Sequence, residues 1–195
     1  MIVRNLLNNM ITSSLTMKNY RNPRAIEIWD HITSYVDFTN KTVVDLGCGY
    51  GDFSILAHMS GASYITAYDN DESNIKSMKS RLNNIPVVVR LDNIEKCPLN
   101  NADIGICLSV LPYLKDPDLL LRRMSTRCNT VLIECQYNGD YDGFHYIRDD
   151  NDMSMWLSSA GFNHIEMIGK TKIEHIDVER SIWLCSVQKQ NTSSI

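Results

Sequence analysis

A chain of 195 residues with 44% apolar residues and a net charge of −4 is long enough for one domain with a proper core and has an ordinary globular composition. Its charge excludes a globally basic nucleic-acid surface and leaves only a local patch open. No apolar run nears the roughly 20 residues that span a bilayer, and the first sixteen residues lack a secretory pattern. Six cysteines (Cys48, Cys97, Cys107, Cys128, Cys135 and Cys185) form no CxxC pair, and several lie inside apolar runs. They read as buried free thiols of a reducing compartment, and so as a cytoplasmic protein without a metal site.

Residues 1–21 read as an arm outside the fold and 189–195 as a frayed polar tail, leaving one domain over 22–188. Asn22 followed by Pro23 is a helix cap with proline at the first helical position. Ala25, Ile28, Trp29, Ile32 and Val36 then recur at helical spacing. The stretch 42–51, TVVDLGCGYG, passes from a β-branched run into glycines at every second position, Gly47, Gly49 and Gly51. An amphipathic segment follows and stops at Gly61, so the unit reads as strand, glycine turn and helix. Strands follow at 64–68 (YITAY) and 86–91 (PVVVRL), separated by a helix capped by Asp71 and carrying Ile75, Met78 and Leu82.

The second half repeats the theme. A fourth strand is read at 103–110 (DIGICLSV), a helix from Asp116 with Leu120 and Met124 inward, and a fifth strand at 130–135 (TVLIEC). A polar and aromatic loop occupies 136–150, and a helix begins at Asp152 and closes at Gly161. Two antiparallel edge strands, 162–168 and 181–187, complete the reading. Such alternation makes a doubly wound α/β fold with right-handed crossovers.

Ligands of such sheets sit at the carboxyl ends of the strands. Asp45 lies one residue before the first strand exit, Asp69 ends the second strand and Asp92 ends the third. Asp69 suits the two hydroxyls of a ribose, and Asp92 an adenine amino group with Asn93 and Ile94 flanking the ring. A dinucleotide site needs a glycine where Asp52 stands, and a carboxylate at that helix N-terminus opposes a pyrophosphate. No GxxxxGK[ST] occurs, which excludes a P-loop. A cationic sulfonium with an amino-acid ammonium fits the carboxylates better.

VVDLGCGYG, YDND, LDNIEK and NADIGICLSVLPYL resemble the successive motifs of class I S-adenosylmethionine-dependent methyltransferases. The resemblance covers about residues 22–187 and implies a three-layer α/β/α sandwich with a seven-stranded sheet in the order 3-2-1-4-5-7-6, the last strand antiparallel. It implies S-adenosylmethionine as cofactor and S-adenosylhomocysteine as product. Asp45, Gly47, Cys48 and Gly49 would lie along the methionine arm, Asp69 and Asn70 at the ribose, and Asp92, Asn93 and Ile94 at the adenine. Ser109 and Val110 would line the donor pocket beside the methyl.

Acceptor-side candidates are Pro112 and Tyr113 after the fourth strand, Glu134, Gln136 and Tyr137 after the fifth, and Tyr141, His145, Tyr146 and Arg148 in the loop. His145 is a candidate general base for an oxygen acceptor, and Tyr113 a pocket wall or second catalytic candidate. Arg122, Arg123 and Arg127 read as solvated charge at a helix end. His58, His164 and His175 show no metal spacing. The leading expectation is in-line methyl transfer to a small-molecule or nucleotide-type acceptor. The alternatives are an RNA or tRNA methyltransferase and a catalytically silent cofactor-binding partner.

Overall fold

The computed structural model describes residues 22–137, 147–173 and 178–188. The arm 1–21, the tail 189–195 and His145 therefore lie outside the described residues. Helix α1 (Pro23–Thr33) starts where proline fixes the first helical position and the Asn22 side chain accepts from Ala25 N. Strand β1 (Thr42–Leu46) leads into α2 (Asp52–Met59), β2 (Tyr64–Asp69), α3 (Glu72–Leu82) and β3 (Val87–Leu91). Strand β4 (Ala102–Leu108) ends in a short 3-10 turn (Leu111–Tyr113), followed by α4 (Pro117–Arg127) and β5 (Cys128–Gln136). Helix α5 (Asp150–Ser159) and strands β6 (His164–Ile173) and β7 (Val178–Ser186) complete the order.

The seven strands form one sheet in the order β3-β2-β1-β4-β5-β7-β6, as the sequence motifs implied. Only β7 is reversed: it runs antiparallel to both β5 and β6. Helices α1, α2 and α3 cover one face of the sheet through Ile28, Trp29, Ile32, Leu56 and Met78. The opposite face is packed by α4 and α5 through Leu120, Met124, Trp156 and Leu157. With both faces covered, the inner strands are apolar runs without alternation. All six cysteines are buried free thiols.

Several element limits differ from the sequence reading; β7, for one, begins at Val178 and not at Ser181. Helix α5 begins at Asp150 and not at Asp152, because the Asp149 side chain accepts from Asp152 N and makes Asp149 the cap. Strand β4 stops at Leu108, since Ser109 takes a left-handed φ of 61°. Strand β6 runs on to Ile173 and contains a bulge between Met167 and Gly169. An extra residue there is invisible to a period-2 count.

Candidate active site

The strand order reverses between β1 and β4, and the two chain exits there touch. Gly47, at φ +77°, has no room for a side chain: a Cβ would stand 2.5 Å from Val110 Cγ2. Loop and β4 exit are thus pressed together, and Gly47 N and Cys48 N donate to Tyr68 O at 2.8 and 2.9 Å. Gly49 differs. Its φ is +52°, yet no atom lies within 4 Å of where a Cβ would be. The backbone is bare toward open space, the geometry a ligand lying along the loop requires.

Acidic groups stand at the adjoining strand ends. Asp45 is 2% exposed and accepts from Ser54 Oγ at 2.6 Å. Burial pushes its carboxyl up to about 7, against the Ser54 hydrogen bond and with added repulsion from Asp69 and Asp52. A cation nearby would restore the anion. Asp69 Oδ2 accepts from Gly49 N at 2.8 Å, while Oδ1 accepts from Asp71 N at 2.9 Å and Asn74 Nδ2 at 3.3 Å. A carboxylate has about four acceptor positions, so Asp69 already holds the loop and keeps about one position for a ribose hydroxyl. The sequence reading contained only the second role. Asn70 beside it is exposed.

Asp92 N donates to Asp69 O at 3.0 Å, which brings the ends of β2 and β3 together. The Asp92 carboxylate accepts from Asn93 N at 2.8 Å, and exposed Asn93 caps Glu95 N at 2.9 Å. Ile94 is buried in the α4–α5 side of the core. Cys48 is buried with its Sγ 3.5 Å from Met78 Sδ. Burial and the adjacent carboxylates hold its thiol far above the usual range, so it is inert. Asp52, the residue that opposed a pyrophosphate, is paired with Arg81 and accepts from Asn22 Nδ2 at 2.9 Å, tying α1 to the glycine helix.

Across the crevice stands a second constellation. Glu134, near the end of β5, is 0% exposed. It accepts from Ser109 Oγ, from Arg24 Nη2 and, at 3.2 Å, from Thr171 Oγ1. Arg180 Nη1 lies 3.8 Å from its Oε2 and donates to Ser109 Oγ at 2.7 Å, while Nη2 donates to Gln136 at 3.2 Å. Ser109 N also donates to Glu134 O at 3.2 Å, and these bonds support the left-handed backbone of a residue that carries a Cβ. The β6 bulge contributes: it pairs Thr171 with Arg180, on the sheet face of Glu134 and Ile182. Without the extra residue, Thr171 would face the other helical layer.

Sequence reasoning named Ser109, Glu134 and Gln136 here and missed Arg24, Thr171 and Arg180. No local signal marks those three, because Arg24 comes from α1 and Thr171 and Arg180 from β6 and β7, all far in sequence from the Glu134 they meet. Of the other candidates, Tyr113 is 69% exposed in the 3-10 turn and Pro112 beside it is buried. Tyr137 is bound on the α5 side, donating to Asp150 at 2.7 Å and accepting from Trp183 Nε1 at 3.2 Å. Arg148 pairs with Asp152. Tyr141, His145 and Tyr146 lie outside the described residues, as does His175.

The arginine cluster on α4 is not uniformly solvated charge. Arg123 turns inward and donates to the carbonyls of Ile94, Glu95 and Cys97, locking the segment after β3. Among the described residues, no group of three or more His, Cys, Asp or Glu could hold a metal ion, and no helix is long and apolar enough to cross a membrane.

A family model described as "Methyltransferase domain" matches residues 37–182. A tRNA U34 carboxymethyltransferase from Colwellia psychrerythraea is 22% identical over 179 residues, covering 80% of this chain and 55% of the relative. A ubiquinone biosynthesis O-methyltransferase from Neisseria meningitidis serogroup C is 23% identical over 99 residues, covering 48% of this chain and 42% of the relative. The chain thus spans about half the length of these curated relatives. Among solved structures, magnesium protoporphyrin IX methyltransferase (ChlM) from Synechocystis PCC 6803 with bound S-adenosylhomocysteine aligns with a TM-score of 0.71 and 14% identity, covering 96% of this chain and 95% of that one. That likeness is one of fold.

Proposed function

The chain belongs to the methyltransferase domain family, enzymes that use S-adenosylmethionine, and from that premise we propose that it transfers a methyl group to a small-molecule or nucleotide-type acceptor by in-line displacement. The observation that carries the reading is the pairing of Gly47 and Gly49. One is closed against Val110, the other is open to ligand and bonded to Asp69. Together they make a crevice at the switch point, rimmed by carboxylates that suit a cation.

S-adenosylmethionine would supply an electrophilic methyl on a sulfonium. Asp45 and the Gly47–Gly49 backbone would hold its amino-acid arm, Asp69 and Asn70 the ribose, and Asp92, Asn93 and Ile94 the adenine. Ser109 and Val110 would wall the reacting carbon, and Tyr113 would edge the acceptor's entrance. Positioning a nucleophile in line with the methyl removes much of the barrier without covalent help. His145 is assigned the base for an oxygen acceptor; an amine would need none. The six free thiols support a reducing, cytoplasmic setting.

A tRNA acceptor is the second reading, favoured by the relative named for tRNA U34 that aligns over 80% of this chain. The two are separated by incubating the chain with methyl-labelled S-adenosylmethionine and a fractionated host extract. Label confined to small molecules supports the first reading, and nuclease-sensitive label the second. Binding of S-adenosylhomocysteine without label in any fraction would favour a silent binder.

A further inference from the structure

The geometry points to an anion-binding subsite on the acceptor side, centred on Arg180 and completed by Arg24, for an acceptor that carries a carboxylate or phosphate near the atom to be methylated. This rests on the methyl-transfer reading above.

Charge balance is the first argument. Glu134 is one carboxylate between two guanidiniums, and it is wholly buried. Among the described residues, the cluster therefore holds one positive charge in excess. Among the described residues of the adjoining elements, Asp150 is engaged with Lys170, Tyr137 and Ser181, and Glu179 with Lys170 and Lys172. Gln136, the remaining partner of Arg180, is neutral. A single arginine would neutralise Glu134 and fix Ser109. The second leaves charge uncompensated in a site where desolvation makes it expensive.

Hydrogen-bond bookkeeping is the second. Arg24 Nε and Arg180 Nε are buried and have no hydrogen-bond partner among the described residues. Buried N–H groups are rarely left unsatisfied in a purely structural clamp. Side-chain exposures of 30% for Arg24 and 12% for Arg180 keep part of each guanidinium within reach of solvent. A planar fork of donors with spare charge matches an oxyanion bidentately.

Placement is the third. Arg180 Nη1 bonds the hydroxyl of Ser109, the residue assigned to the wall of the reacting carbon. An anion held by Arg180 lies one side chain away from that carbon, on the side away from Asp69 and Asp92. The carboxylates of the first half would repel it from the cofactor crevice, so the two charge signs sort donor from acceptor.

The test uses the full chain saturated with S-adenosylhomocysteine and inorganic phosphate as the probe, followed through the arginine Nε–H signals in nitrogen-15 NMR and by calorimetry. Phosphate is expected to shift the Arg180 Nε–H signal, and Arg180→Gln to weaken phosphate binding at least tenfold while S-adenosylhomocysteine affinity stays within twofold. Arg180→Lys, which keeps the charge beside Glu134 and so protects the fold, should also weaken phosphate. Phosphate that binds equally to the native chain and Arg180→Lys, or moves no arginine signal, overturns the subsite. Loss of S-adenosylhomocysteine affinity in Arg180→Lys also overturns it, because the guanidinium would then serve the cofactor's own carboxylate. Failure of the native chain to bind S-adenosylhomocysteine sinks the methyl-transfer reading and the acceptor role with it. Cofactor binding without a phosphate effect sinks the subsite alone.

Discussion

The two halves of the crevice are built in opposite ways. At the ends of β1, β2 and β3 the site is acidic and assembled mainly from main chain: the carbonyl of Tyr68 and the carboxylate of Asp69 receive loop amides within 22 residues of one another in sequence. At the ends of β4, β5 and β7 it is basic and assembled from side chains, with Arg24, Ser109, Glu134, Thr171 and Arg180 meeting around one buried carboxylate. A backbone cradle recognises a fixed cofactor. A side-chain cluster can be rebuilt by substitution without disturbing the loop, and so suits the part of the site that differs between acceptors.

The comparison breaks hardest at Glu134. Glu134→Ala leaves two guanidiniums facing each other and should lower stability by about 3–5 kcal/mol, read from urea unfolding. A loss below about 1 kcal/mol would mean that both arginines relax into water, and the basic half would be surface charge. In the acidic half, Asp69→Ala should cost S-adenosylhomocysteine about 1.5–3 kcal/mol of affinity and speed hydrogen exchange at the Gly49 amide. Faster exchange with unchanged affinity would reduce Asp69 to a loop holder.

A finer test contrasts two glycines. Gly47→Ala meets Val110 as well as a left-handed φ and should destabilise the unliganded chain by about 2 kcal/mol. Gly49→Ala meets open space and should cost only about 1 kcal/mol, with its main effect on cofactor affinity in calorimetry. Equal stability losses would remove the distinction between closed and open glycines.

A last test is one of pH. The folded Asp45 carboxyl titrates at about 7, above its unfolded value of 3.8. The folded state therefore holds a proton that the unfolded chain has released. Stability from this group is fully present below about pH 4 and is lost as pH rises to about 7, by at most about 1.4 kcal/mol per pH unit. Asp45→Asn, which keeps an acceptor for Ser54, should flatten the melting temperature over that window. Parallel native and variant profiles would show that Asp45 is ionised throughout.

How much was legible in the sequence follows the same division. The strand carrying Asp45, the three glycines and the carboxylates at 69 and 92 were readable because each is local: β-branched runs, turn chemistry and strand ends are properties of consecutive residues. The family resemblance added the strand order. Reading Arg123 as solvated charge failed because its partners are carbonyls of the segment after β3, more than 25 residues away. The start of α5 is ambiguous in the sequence because Asp149, Asp150 and Asp152 can each cap a helix, and only the geometry of Asp149 selects one.

By itself, then, the sequence determined a doubly wound sheet, its glycine turn and the carboxylates at its strand ends, since short-range backbone preferences and apolar periodicity are written residue by residue. Tertiary structure alone decided that Gly47 is closed and Gly49 open, that Asp69 holds the loop, and that two arginines converge on Glu134. Those depend on which strands become neighbours and on a one-residue bulge in β6 that turns Thr171 to the face of Glu134. Register and burial are collective properties of the packed sheet, and no window of consecutive residues contains them.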